Sequence, residues 1–171
     1  MKPLLSLLLI LSTSLSFTPL LPPNTVPDQD TDRLKALDQY WAEVSRTVRE
    51  GDYEGYGALY HDDAVVIFAT RENKSSMAIS EALAGWKPGF DDTKAGKVKA
   101  NVEFRFSQRI GNENTAHETG VFAYSSEDSA GNKSGDYVAF EMLLVKKNGK
   151  WLGMMEYQKT RVTQAEWDAL K

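Results

Sequence analysis

The chain has 171 residues, 42% of them hydrophobic and 26% charged, which suits a single globular domain and excludes a disordered or fibrous chain. It contains no cysteine, so a disulfide scaffold, a thiol nucleophile, a thiolate metal site and a cysteine-linked lipid are all excluded. The formal charge of -4 is spread over interspersed acids and bases with no basic stripe, which argues against a nucleic-acid partner.

Residues 1–16 read as a signal peptide. Met1-Lys2 gives a positive start, Leu4 to Leu11 is apolar, and Ser14-Leu15-Ser16 supplies small residues for cleavage near Ser16. The apolar run falls well short of the roughly 20 residues of a spanning helix. The expectation is therefore a secreted or periplasmic protein with no membrane segment after cleavage. Residues 17–31, FTPLLPPNTVPDQDT, carry four prolines and read as a linker to a domain over 32–171.

Asp30 or Thr31 can cap a first helix whose apolar positions, Leu34, Leu37, Trp41, Val44 and Val48, form one stripe, and Gly51 ends it. Asp52 starts a short second helix through Tyr56 and Leu59. His61-Asp62-Asp63 then reads as the corner before a buried strand, Ala64 to Phe68. Adjacent residues rarely chelate one ion, so no metal is expected there, and no cofactor motif is visible. Asn73 to Ser76 starts a third helix with Met77, Ile79, Ala82, Leu83 and Trp86 on one side, and KPGFDD is expected to stop it.

Beyond Val98 the period switches to two: Val98, Ala100, Val102, Phe104 and Phe106 alternate with polar residues. Turns at GNEN, EDSAGNKSG and KKNGK separate three further strands, Thr115 to Ser125, Asp136 to Val145 and Trp151 to Val162. Thr163 caps a closing helical turn. Three helices, a short strand and then four long strands make an α+β order, in which three N-terminal helices pack on a strongly curved antiparallel sheet forming a cone.

Three segments carry a resemblance: GDYEGYGALYHDDAVVIF as helix, corner and strand, NTAHETGVFAY as an Ala-x-x-x-Gly strand, and VKKNGKW as a final hairpin. From about Asp32 to Thr160 the chain resembles the nuclear transport factor 2-like superfamily, in its SnoaL-like and ketosteroid isomerase-like branch with a cystatin-like cone. The resemblance implies a pocket inside the cone and pairing of two copies through the outer sheet face. It places the isomerases' carboxylate base at Phe68, which can line a pocket but takes no proton, and their phenol at Val44, one turn from Tyr40. Their acid donor falls on Glu141.

His117, by the same analogy, shares the concave face with Thr119 and Val121, and its titration near neutral pH makes it a candidate general base. Glu141 sits in YVAFEMLLV, where both alternating faces are nearly equally apolar, so it is either solvated or buried with a raised pKa. Glu156 and Gln158 alternate onto one face with Met154, and the motif count turns that face inward. His117, Glu141 and Glu156 are thus the catalytic candidates, and Tyr40, Phe68 and Gln158 the ligand-binding ones. Three functions stay open: an exported binder of a small, partly apolar molecule without a chemical step; an isomerase, cyclase or lyase moving a proton next to a carbonyl; and a homodimeric interaction module.

Overall fold

The computed structural model describes residues 27–170, and the expected signal peptide lies outside the described residues, as does the linker before Pro27. The elements are α1 (Pro27–Glu50), α2 (Tyr53–Gly57), β1 (Tyr60–Phe68), β2 (Ser75–Ala78), α3 (Ile79–Lys94), β3 (Val98–Gly111), β4 (Thr115–Asp128), β5 (Lys133–Lys147), β6 (Lys150–Val162) and α4 (Gln164–Ala169). The strands form one curved sheet in the order β2-β1-β6-β5-β4-β3, antiparallel except where β1 runs parallel to β6. Asn148 and Gly149 both take positive φ, the backbone a two-residue hairpin needs between β5 and β6. The architecture is the expected α+β one, with α1 to α3 covering one face of the sheet, while Trp167 of α4 packs on Tyr137 and Arg105 of the opposite face.

Four local expectations are corrected. Helix α1 begins at Pro27, so residues 27–31 are helical rather than linker, with proline in the first turn where its missing N–H costs nothing. His61-Asp62-Asp63 does not precede the strand but belongs to β1, at an irregularity of its pairing with β6; the Asp63 N–H donates to His61 Nδ1 at 3.1 Å, a local side-chain-to-backbone bond. Ser75–Ala78 is an edge strand, not a helix start. Helix α3 runs through Pro88 and Gly89 to Lys94. Rings hold both of its halves: Trp86 packs on Tyr56 and Phe68, and Phe90 on Tyr53 and Tyr56, which outweighs the lost backbone bond at Pro88.

The α1 stripe docks on the inner sheet face. Leu37, Tyr40, Trp41 and Val44 are buried, and the Trp41 ring lies 4.4 Å from Phe104 and 5.5 Å from Phe140. Each fully buried side chain of this size contributes roughly 1.5–3 kcal/mol. Gly51, at φ +65, turns α1 into α2 so closely under α3 that a Cβ there would sit 2.4 Å from the Lys94 nitrogen.

One ionic tie fastens α1 to the sheet. Glu118 of β4, fully buried, accepts from the Trp41 indole and from Arg109 Nε at 2.6 Å, and Arg109 reaches on to Asp38 of α1 at 2.6 Å. Arg109 faces inward because the β3–β4 register shifts between Phe106 and Gln108, adding a residue that flips the alternation.

Candidate functional site

Between α1, α3 and the inner sheet face lies a cavity of about 570 Å³. Its wall is mostly aromatic and aliphatic, including Trp41, Trp86, Phe90, Val102, Phe104 and Phe140. Its size and lining match those of small-molecule sites. Gly85 and Gly89 of α3 face it, and a Cβ at either would meet no atom within 4 Å, so their missing side chains leave part of the space.

A polar chain crosses the far wall. The Tyr60 hydroxyl donates to Glu156 Oε2 at 2.5 Å, Gln158 Nε2 donates to Glu156 Oε1 at 2.7 Å, and the Tyr56 and Tyr60 hydroxyls lie 3.2 Å apart. Loss of solvation among the rings pushes the Glu156 carboxyl above the ordinary carboxylate range, against the opposing hydrogen bonds from Tyr60 and Gln158. Burial likewise raises both phenols, with the nearby carboxylate adding to it, so both stay protonated at neutral pH. The direction of the chain depends on one proton. With Glu156 ionised, Tyr60 donates to it and Tyr56 donates to Tyr60, which leaves the Tyr56 oxygen as an acceptor. With Glu156 protonated, the chain can reverse and offer the Tyr56 O–H outward.

The mouth holds a second polar group of residues. Arg161 donates to the Thr70 carbonyl at 3.1 Å and pairs with Asp136 at 3.2 Å, and the Arg71 guanidinium stacks 4.1 Å above the Phe68 ring.

The six sequence candidates divide. Glu156 and Gln158 face the cavity together, as expected. The inner positions of β6 pass from Gly153 to Glu156 because the pairing with β5 skips Met154, so Met154 does not share their alternation. Tyr40 and Phe68 are buried, but the cavity wall includes neither: Tyr40 donates to the Leu59 carbonyl at 3.3 Å, and Phe68 packs behind Trp86.

His117 and Glu141 are on the other side of the sheet. On β4 the buried Ala116 and Glu118 share the face on which Glu118 meets Trp41 of α1, so His117 and Thr119, like the buried Val121 of their parity, point to the other face, and on β5 the inward Val138, Phe140 and Met142 leave Glu141 outside. There Glu141 lies 2.6 Å from Lys159 and 3.4 Å from His117, and the Lys159 hydrogen bond holds its pKa down, contrary to the buried, raised alternative. Tyr56 and Tyr60 were not among the candidates; their spacing of four was the visible signal, hidden by the change from helix to strand between them. Among the described residues, no group of three or more His, Asp or Glu could hold a metal ion.

No family model matches the chain, and no curated protein is similar to it in sequence. Solved structures are similar in fold. A nuclear transport factor 2-like protein of unknown function from Shewanella oneidensis superposes with a TM-score of 0.57 at 16% identity, over 73% of this chain and 97% of that one. A ketosteroid isomerase-like protein from Erwinia carotovora atroseptica gives 0.56 at 13%, over 77% and 98%. A protein from Exiguobacterium sibiricum, described as a calcium/calmodulin-dependent kinase II association domain, gives 0.59 at 13%, over 84% and 98%. The chain has the nuclear transport factor 2-like fold.

Proposed function

We propose that the protein binds a small, partly apolar molecule in the cavity, with rings enclosing its body and Tyr56 holding a polar atom. The observation that carries this reading is the Tyr56–Tyr60–Glu156 chain opening into a space of about 570 Å³ walled mostly by rings and aliphatic side chains. Native mass spectrometry of protein purified from its own host tests it. A co-purified small molecule is expected, and it should be lost in Gly85→Trp, which projects a ring into the cavity from a position with no neighbour. A ligand-free wild type whose melting temperature responds to no ring-bearing compound would sink the proposal.

A second reading, proton transfer beside a carbonyl, is favoured by the raised carboxyl of Glu156 facing the same space. It predicts that the protein speeds loss of deuterium from the α-carbon of 2-tetralone, followed by NMR, and that Glu156→Gln stops this. Exchange at the buffer rate alone removes the reading.

Export and dimerisation complete the proposal. N-terminal sequencing of the protein from periplasm or culture fluid should begin after Ser16; an intact Met1 there contradicts cleavage. A homodimer through the outer sheet face would enclose His117, Glu141 and the exposed Leu143, and sedimentation equilibrium should then give twice the chain mass; a monomer overturns it.

A further inference from the structure

The cavity is chemically polarised from end to end. Its buried lining residues include Trp41, Tyr60, Val102 and Met142, and its exposed ones, which also include Gly85, Gly89 and Tyr124, carry the charges of Arg71, Asp136 and Arg161 at the mouth. Four wall residues have acidic or basic side chains: these three and Glu156. At the mouth two cations face one carboxylate. Asp136 is engaged by Arg161, and among the described residues no carboxylate pairs with Arg71. The Phe68 ring beneath its guanidinium fixes Arg71 without consuming its charge, and leaves the edge of the fork open for hydrogen bonds. Arg161 is held beside it, because its NH1 donates to the carbonyl of Thr70, the residue before Arg71. In the depth, each oxygen of Glu156 already accepts one hydrogen bond, Oε2 from Tyr60 and Oε1 from Gln158.

Resting on the reading that this cavity binds a small molecule, we infer that its ligands are organic carboxylates, oriented with the acid at the mouth against Arg71 and Arg161 and the ring body inside. Guanidinium forks bind carboxylates through two parallel N–H···O bonds, a geometry that an alcohol or an amine cannot reproduce. The enclosing rings supply burial for the body and exclude a ligand charged at its inner end. The orientation follows: the ionised group stays at the solvent edge, where its desolvation cost is small, and the apolar part fills the space that costs water most to occupy.

Three probes with one ring system and different charge test this: 9-anthracenecarboxylic acid, 9-anthracenemethanol and 9-aminomethylanthracene. Each is titrated against the full domain by quenching of tryptophan fluorescence, since Trp41 and Trp86 both line the cavity. The acid should bind about tenfold tighter than the alcohol, with the amine weakest, and added salt should narrow the gap. Arg71→Gln should weaken the acid about tenfold and leave the alcohol unchanged, while Arg71→Lys recovers part of the loss. Arg71 is exposed, so the melting temperature of both variants should match the wild type. Equal binding of all three probes, or an acid affinity indifferent to Arg71→Gln, overturns the carboxylate inference and leaves the cavity reading standing. Failure of all three to bind overturns the cavity reading for ring-bodied ligands and the inference with it.

Discussion

Replacing Glu118 by alanine should strongly destabilise the fold. Its carboxylate is fully buried and receives two donors from different elements, the Trp41 indole of α1 and the Arg109 guanidinium of β3. Removal leaves a guanidinium that is itself mostly buried, with only Asp38, at the solvent edge, to balance it. Breaking one partner out of a buried pair typically costs about 3–5 kcal/mol, and the orphaned indole N–H falls within that range rather than adding to it. For a domain of this size the melting temperature should fall by roughly 10 °C. The assay is urea unfolding followed by tryptophan fluorescence, with the midpoint falling and the m-value unchanged. A paired substitution, Glu118→Leu with Arg109→Met, should recover most of the loss, since the penalty comes from an uncompensated charge and not from the absence of an ion pair. A loss below about 1 kcal/mol for Glu118→Ala would refute the assignment of this tie as the fastening between α1 and the sheet.

Glu156 gives a pH signature. Its folded-state pKa lies above the ordinary carboxylate value, so the stability it contributes is complete below the unfolded pKa and declines as pH rises through the folded one. The advantage of Glu156→Gln over wild type in urea should therefore grow between about pH 4 and neutrality, and a constant difference would count against burial of the charge. Gly120→Ala should destabilise by about 3 kcal/mol or prevent folding, because its Cβ would lie 2.0 Å from the Arg105 carbonyl oxygen, a backbone atom that cannot turn aside; a circular-dichroism melt near wild type would contradict the register. Glu141→Gln should cost less than about 1 kcal/mol and leave probe affinity within a few fold, as befits a partly solvated pair on the far face of the sheet; a large loss of binding in the same fluorescence titration would return Glu141 to the site.

The fold was legible where one periodicity dominated. The three-and-four spacing of Leu37, Trp41 and Val44 and the alternation of β3 each have one apolar side, so the core face follows directly. The site was legible only where parity was certain. On β5 both faces are apolar, and no count of residues can say which one the helices cover, so Glu141 was assigned by analogy and lies outside. His117 followed it, although Ala116 and Gly120, of opposite parity, were the closely packed positions. Glu118 shares their parity and is the residue that the same alternation, read the other way, would have placed inside. Irregular pairings near Phe106 and Met154 each shift one strand by a residue, a change that depends on tertiary packing and leaves no composition signal. The passage of α3 through Pro88-Gly89 is likewise a tertiary outcome, decided by the rings of Tyr53, Tyr56 and Phe68 on neighbouring elements.

The parallel seam between β1 and β6 has a consequence for the order of assembly. Val66 meets Glu156, ninety positions further along, and the hairpin of β1 with β2 has no other hydrogen-bonded neighbour in the sheet. A nascent chain that has not yet extruded Lys150 to Val162 can form the β3–β4–β5 meander, but it leaves an open edge on β5 and a drifting hairpin. Closure therefore waits for β6, and the hollow with its glutamate cannot form before that strand docks between β1 and β5.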